Sequence, residues 1–123
     1  MLPDYMTNSE TWRRLSFKAV WVYIEMKKKF FGNNQNNLSL TYREVKWKLA
    51  SASFSMAIQE LVEYGFIKIV RPGGLFRSPT LYGLEKRWEQ VSKNPETLAE
   101  IEEKLRKLKA RRQRGRRGRR RRP

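Results

Sequence analysis

Apolar residues recur at helical spacing in two neighbouring stretches near the middle of the chain. The first stretch opens at Thr41, and Glu44 three residues later gives the spacing of a capping box. Three apolar residues are predicted to form its buried face: Tyr42, Val45 and Leu49. The second stretch has apolar residues at i, i+3, i+4, i+7 and i+8: Phe54, Ala57, Ile58, Leu61 and Val62. The small residues 50–53 predict a turn between two helices, with Ser51 or Ser53 as the N-cap of the second.

The pattern changes to β-branched and aromatic residues directly after this pair of helices. Gly65 is expected to end the second helix, and residues 66–71 predict a strand. A Pro-Gly-Gly turn follows at residues 72–74, and a returning strand is expected over residues 75–82. Upstream of the two helices, the alternation at residues 38–40 predicts a short additional strand.

Two further helices are predicted before this region. Thr7 and Glu10 have capping-box spacing, which predicts a short helical turn over residues 9–15. Ser16 is expected to cap a longer helix that reaches about Phe30. The apolar residues of the longer helix form two stripes, one of Phe17, Val20, Trp21 and Ile24 and one of Ala19, Val22, Tyr23 and Met26. Two stripes indicate either a central core helix or a helix whose second stripe packs against a partner subunit.

The pattern also predicts helices after the hairpin. Apolar spacing suggests a helix that returns to the core through Leu84, Trp88 and Val91. Asn94 as N-cap with Pro95 behind it is a strong signal for a further helix. Its apolar stripe comprises Leu98, Ile101, Leu105 and Leu108, and its charges allow the i,i+4 pairs Glu100–Lys104, Glu102–Arg106 and Glu103–Lys107. The stripe could join two subunits, pack against the body of the protein, or lie on a solvated arm.

Basic residues exceed acidic ones throughout the chain and most strongly at its end. The formal net charge is +16, and nine of the 28 lysines and arginines lie in residues 111–123, which contain no acid. The other 19 still outnumber the 12 acidic residues. Such a balance favours polyanionic partners, nucleic acid first and anionic membrane surfaces second. The Arg/Gly composition of residues 111–123 predicts a tail that is disordered when free.

The residue types needed for several common catalytic sites are absent. The chain has no cysteine, no histidine and no phosphate-loop pattern, and its single aspartate is Asp4. Thiolate or imidazole metal sites and Ser-His-Asp catalysis are therefore excluded, and we expect a non-enzymatic protein without a cofactor. No apolar run approaches the ~18 residues of a transmembrane helix, so membrane insertion is not expected. The N-terminus lacks a secretory signal, and the absence of cysteine fits a cytoplasmic, nucleoid-associated protein.

The order of these elements resembles that of winged helix-turn-helix DNA-binding proteins. Residues 61–70 are similar to the signature at the end of that family's recognition helix, a Leu followed four residues later by Gly, an aromatic or aliphatic residue and Ile. Residues 41–67 resemble its helix-turn-helix, and the resemblance extends over about residues 11–84. Three shorter segments are similar to small bacterial and phage members: residues 12–16, 31–34 and 38–40. The resemblance implies duplex DNA binding by a transcriptional regulator or a replication-associated protein.

In such a fold the second helix of the helix-turn-helix, here the one that ends at Gly65, enters the major groove with its N-terminal half. The predicted base contacts are therefore Ser51, Ser53, Ser55, Met56 and Gln59. Gln59 could bind adenine bidentately and the serines could bond bases or phosphates, although serines also suit a turn and a cap. None of these residues is a cation, so phosphate contacts are expected from surrounding elements. The predicted phosphate and wing residues are Arg43, Lys46, Lys48, Lys68, Arg71, Gly73, Gly74 and Arg77.

The tail offers a second set of phosphate contacts. Its predicted contact residues are Arg111, Arg112, Arg114, Arg116, Arg117, Arg119, Arg120, Arg121 and Arg122. Two Arg-Gly-Arg repeats resemble the core of an AT-hook, which enters the minor groove, and a generic polycation accounts for them as well. Each phosphate contact would steepen the salt dependence of binding by a log–log slope of about 0.9. The same composition suits RNA and acidic lipid surfaces.

The sequence thus predicts a mainly α fold with a small β-hairpin, of the α+β class. The predicted domains are an N-terminal arm (1–10), a winged-helix domain (11–92), an amphipathic C-terminal helix (93–110) and the disordered tail (111–123). A homodimer could form through the first long helix or the Leu98–Leu108 stripe. Two alternatives to DNA binding remain open, namely an RNA-binding protein driven by the tail and a winged-helix adaptor for other proteins.

Overall fold

The computed structural model describes residues 2–73 and 79–120, with the backbone alone for 113–120. This part of the chain forms seven helices and one antiparallel two-stranded sheet. The elements are α1 (Asp4–Thr7), α2 (Glu10–Arg14), α3 (Phe17–Lys27), α4 (Tyr42–Val45), α5 (Ser51–Tyr64), β1 (Ile67–Arg71), β2 (Leu81–Leu84), α6 (Trp88–Ser92) and α7 (Pro95–Arg120). The prediction of a mainly helical α+β fold with a small hairpin is confirmed.

The N-terminal residues belong to the body of the protein and do not form a separate arm. α1 buries Met6, and the ring of Tyr5 lies 5.5 Å from that of Trp88. α2 begins with Ser9 as its N-cap, because the Ser9 side chain accepts a hydrogen bond from the backbone N–H of Trp12. The predicted capping box between Thr7 and Glu10 is therefore wrong: Thr7 is the last residue of α1.

α3 is the central helix of the fold. Ser16 caps it as predicted, accepting a hydrogen bond from the backbone N–H of Ala19 at 3.2 Å. The stripe that includes Val22 and Met26 is buried, and α3 packs extensively against α5. The other stripe is only partly covered, and Phe17 at its start is 95% exposed. The helix ends at Lys27, three residues earlier than predicted.

The predicted capping box of Thr41 and Glu44 is present at the start of α4. α4 is short, however, and Tyr42 is partly exposed instead of buried, although its ring lies 6.1 Å from that of Phe54. α5 begins at Ser51 with Ala50 as the N-cap residue. The prediction of a serine N-cap for α5 is therefore wrong, because Ser51 is already the first helical residue and Ala50 before it has an extended backbone.

The sheet follows α5 through Gly65, whose φ of +88° is in the left-handed region that favours glycine. A Cβ atom at Gly65 would also lie 2.7 Å from the backbone nitrogen of Trp88. In the sheet, Ile67 pairs with Leu84, so Leu84 ends a strand and does not begin the predicted helix. Leu38 forms a single β-bridge with Tyr82, which replaces the short strand predicted at residues 38–40. Residues 74–78, which include the first part of the returning strand predicted over residues 75–82, lie outside the described residues.

Phe66 lies at the centre of an aromatic core. It is fully buried, and its ring stacks on that of Trp88 at 5.7 Å. The rings of Trp12 and Tyr23 meet it edge-on at 5.6 and 5.7 Å. Elements from both ends of the chain therefore pack around the junction between α5 and β1, which fixes the position of α5.

α7 starts as predicted, since the side-chain oxygen of Asn94 accepts hydrogen bonds from the backbone N–H groups of Glu96 and Thr97. Leu98 and Ile101 are buried, so this part of the helix packs against the body. The structure differs from the predicted disorder after residue 110, because α7 continues through Arg120. Arginine is a strong helix former, and each glycine costs only ~1 kcal/mol relative to alanine. Arg121 and Arg122 lie outside the described residues.

Candidate nucleic-acid interface

α5 has one open face. Ser51, Ser55 and Gln59 lie at i, i+4 and i+8 on the side away from the buried residues Ala57 and Leu61. Ser51 and Ser55 are exposed and Gln59 is half-buried. The structure thus brings together three of the five predicted base contacts, and we refer to Ser51, Ser55 and Gln59 as the open face of α5.

The other two predicted base contacts lie on a different side of α5. Ser53 accepts a hydrogen bond from Nζ of Lys18, which belongs to the first turn of α3. Met56 lines a groove of about 700 Å³ between α5, the start of α3 and α7. These two positions therefore face the groove and not the side of Ser51 and Ser55, and their role as base contacts stays a prediction.

α7 runs alongside α5 in the opposite direction. Near the end of α5, Nζ of Lys104 lies 2.7 Å from a carboxylate oxygen of Glu63. Near its start, Arg112 donates from Nη2 to the hydroxyl of Ser55 at 2.9 Å and from Nη1 to the carbonyl oxygen of Ala52 at 3.2 Å. The two contacts are separated by roughly two turns on each helix, so the helices stay adjacent over this length. Arg112 therefore places a guanidinium group at the edge of the open face.

Both glutamates of α5 have partners within the protein. Glu60 accepts hydrogen bonds from the backbone N–H of Ser16 at 3.0 Å and from its hydroxyl at 2.7 Å. Glu63 binds Lys104 and also accepts a hydrogen bond from the side-chain amide of Gln59 at 3.2 Å. The carboxylates are thus partly compensated before any polyanion approaches. The Gln59 amide must leave Glu63 before it can bind adenine bidentately.

The predicted phosphate contacts near α4 are all exposed. Arg43 lies on α4, and Lys46 and Lys48 lie in the turn that leads into α5. Glu44 is held by Lys29 and by the capping box of Thr41. Burial raises the pKa of Glu44, but the hydrogen bonds from Lys29 and Thr41 outweigh it and leave the pKa below its ordinary value. The acid of this segment is therefore already paired.

The wing cations lie beyond the C-terminal end of α5, far from Ser51. β1 begins at the C-terminal end of α5, about 20 Å from Ser51 along a helix of 14 residues. Lys68 and Arg71 are exposed on β1, and the Lys68 side chain lies over Gly83 of β2. The backbone N–H of Gly73 donates to the hydroxyl of Thr80 at 3.0 Å. The predicted contacts Gly74 and Arg77 lie outside the described residues.

Several cations next to α5 were missed by the sequence analysis. Lys18, Arg106 and Lys109 line the same groove as Arg112. Apolar patterning marks the buried face of each helix, but it does not show which polar residues of α3 and α7 approach α5. The charged positions of α7 could have suggested only pairs within that helix. Of the tail arginines, Arg111 and Arg112 are exposed. For those up to Arg120 the structure describes the backbone alone, and Arg121 and Arg122 lie outside the described residues.

The described residues contain no group of three or more carboxylate, imidazole or thiol side chains that could hold a metal ion. In the same part of the chain, none of the helices combines the length and the apolar character required to span a membrane. Comparison of the chain with protein-family models, with curated proteins and with solved structures found no match. Inference about function therefore depends on the contacts and charges described above.

Proposed function

We propose that this protein binds duplex DNA without catalysing a reaction, as a transcriptional regulator or replication-associated protein of the nucleoid. α5 would present its open face to the major groove in the manner of a winged helix-turn-helix. The observation that carries the proposal is the contact of Arg112 with Ser55 and the Ala52 carbonyl. It joins the most basic segment of the chain to the helix that the sequence assigns to base recognition.

Cations from separate elements surround the N-terminal half of α5. Lys18 of α3 contacts Ser53, Arg112 of α7 contacts Ser55, and Lys48 precedes the helix by three residues. A duplex that approached this end of α5 would meet positive charge on both sides. Phosphate contacts of this kind fix the position and orientation of a protein on DNA.

The backbone of α5 supports the same orientation. The N-cap residue, Ala50, has no side-chain acceptor, so the first N–H groups of the helix are not capped by it. The positive end of the helix dipole lies at the same N-terminus and also favours an approaching phosphate. Ser51 and Ser55 provide short hydroxyls that can donate to or accept from base edges or phosphates. Modest base discrimination and strong phosphate binding follow from this combination of groups.

The test compares two variants that remove the same charge. Arg111→Ala removes an exposed cation, whereas Arg112→Ala removes a cation and the contact of α7 with α5. Binding of a labelled random-sequence duplex is measured by fluorescence anisotropy over a range of salt concentrations. We expect Arg111→Ala to flatten the log–log slope by about 0.9, as for one lost phosphate contact. Arg112→Ala should flatten it further, since the arginines beyond it lose their position.

A control variant carries Lys86→Ala and Lys93→Ala, which are exposed on either side of α6 and away from the start of α5. Its affinity for the duplex should fall less than that of Arg112→Ala. Alanine at Ser51, Ser55 and Gln59 together should weaken selection among random duplexes before it weakens non-specific binding. Absence of salt-dependent duplex binding, or clear preference for structured RNA in competition, would overturn the proposal.

A further inference from the structure

Trp47 forms an exposed aromatic patch together with Trp21. It lies in the turn between α4 and α5 and is 73% exposed, whereas the other three tryptophans are half-buried or buried. Its ring meets that of Trp21 on α3 at 5.8 Å with an interplanar angle of 79°. Trp21 anchors one edge of this pair in the fold, and most of the Trp47 indole remains open to solvent. Contiguous exposed apolar patches rimmed by polar residues can mark interaction sites.

The surroundings of the patch are cationic. Lys46 and Lys48 flank Trp47 in sequence and are exposed, and Nζ of Lys48 lies 5.9 Å from the centre of the Trp21 ring. Arg43 is exposed on the preceding helix, and the nearby Glu44 is bound by Lys29. Within the part of the chain that the structure describes, Arg43, Lys46 and Lys48 form no ion pair. An open indole flanked by such cations is complementary to a ligand that combines flat aromatic rings with negative charge.

We infer that the patch of Trp21 and Trp47 binds unpaired bases of a single-stranded nucleic acid. Trp47 would stack on one base, while Lys46 and Lys48 bind the adjoining phosphates. Base stacking on aromatic side chains within a positive surface is the usual means of binding single strands, and it tolerates any base. Bases inside a duplex are already stacked on one another, so this site is distinct in its ligand from the open face of α5.

Charge argues against a second copy of the chain as the occupant. In a two-fold symmetric contact the same surface of each subunit faces its counterpart. Arg43, Lys46 and Lys48 of one copy would then approach the same three residues of the other, and like charges at an interface are unfavourable. A single-stranded nucleic acid provides aromatic surface and the opposite charge together.

The patch lies next to the proposed duplex site. Lys18, which contacts Ser53 of α5, is one turn before Trp21 on α3. Trp47 itself lies four residues before the first residue of α5. A junction at which a duplex opens into a single strand could therefore occupy both surfaces of one molecule.

The experiment measures binding of fluorescein-labelled (dT)12 and (U)12 to the full chain by anisotropy, beside a duplex of the same charge. Trp47→Ala should weaken single-strand binding by roughly five- to 150-fold, the equivalent of losing one stacked base. Trp47→Phe should retain most of the affinity because a phenyl ring also stacks. Phe31→Ala removes a comparably exposed aromatic residue from the loop after α3 and should leave single-strand affinity unchanged. The two oligonucleotides show whether the strand is DNA or RNA.

The ratio of single-strand to duplex affinity separates stacking from the general attraction of the arginines, which all these variants retain. A Trp47→Ala protein with the same ratio as the unmodified chain would overturn the inference. So would a change from dimer to monomer on Trp47→Ala in mass measurements, since the patch would then join two copies. This inference rests on a different ligand from the proposed function. If the protein fails to bind duplex DNA but still binds (dT)12 in a manner that depends on Trp47, only the proposed function is overturned.

Discussion

Two parts of α7 are held in different ways: residues 95–110, called the first half below, and residues 111–120, called the second half. In the first half, Leu98 and Ile101 are buried in the core, with 3% and 7% of their surfaces exposed. In the second half, the side-chain contacts that the structure describes are polar: Arg112 donates hydrogen bonds to Ser55 and to the Ala52 carbonyl at the start of α5. The first half thus stabilises the fold by burying apolar side chains. The second half continues the same helix but does not bury comparable apolar surface.

The charged residues of the two halves also differ in their partners. Glu102 pairs with Arg14 of α2, and Lys104 pairs with Glu63 of α5, so charges of the first half bind the body. After Glu103 the sequence contains no further acid up to residue 123. The positive charge of the second half is therefore not balanced by acids of its own segment. One helix combines a folding element with a cationic segment that favours an external polyanion.

The largest expected effect comes from removing the cationic segment. A chain ending at Ala110 lacks all nine arginines of residues 111–123. We expect the log–log slope of duplex binding against salt to flatten by several units, at about 0.9 per lost phosphate contact. Anisotropy titrations of both chains over the same salt series measure the difference.

Thermal unfolding of the shortened chain is the control for this prediction. The core residues of α7 all precede the truncation, so its melting temperature should stay close to that of the full chain. An unchanged affinity and slope would show that the second half of α7 is not a phosphate contact. A large loss of stability would show instead that the two halves do not differ as described.

The next largest effect is expected from the buried stripe of the first half. Ile101→Ala removes a side chain that is 7% exposed, and such a change typically costs ~2–5 kcal/mol of unfolding free energy. Leu108→Ala, on the same stripe but half-buried, should cost clearly less. Denaturant unfolding of both variants measures these costs. Equal costs at the two positions would mean that the stripe is buried along its whole length.

The start of α7 and its packing illustrate what could be predicted from the sequence. Asn94 and Pro95 determine the helix start through local hydrogen bonding and backbone geometry, both of which depend on neighbouring residues only. The burial of Leu98 and Ile101 follows from apolar spacing in the same way. The capping of α3 by Ser16 and the end of α5 at Gly65 are further local features that were predicted correctly.

Contacts between distant segments could not be obtained from that pattern. Glu102 and Lys104 were assigned to pairs within α7, yet they bind Arg14 and Glu63, far away in the sequence. Arg112 was assigned to a disordered tail, and its contact with Ser55 depends on how α7 lies against α5. For the candidate site, the sequence identified α5 and its serines, but not the division of its residues between an open face and a groove.

The smallest of these effects concerns Tyr64, which lies below the first half of α7. The residue is 2% exposed, and burial raises the pKa of its hydroxyl from 10.0 to about 12, with the charge of Glu102 acting in the same direction. The unfolded chain therefore releases this proton at a lower pH than the folded protein does. The contribution of neutral Tyr64 to stability is complete below pH 10 and is lost as the pH rises towards 12.

Tyr64→Phe should reduce this alkaline loss, because phenylalanine has no proton to release. Unfolding free energies of the two proteins are compared over a pH range that spans the shift of the Tyr64 pKa from 10.0 to about 12. Tyr42→Phe is the control, since Tyr42 is partly exposed and lies on α4, away from α7. A parallel decline for all three proteins would show that α7 does not cover Tyr64 in solution. A decline that is weaker in Tyr64→Phe alone would place the first half of α7 firmly against α5, as the buried Leu98 and Ile101 require.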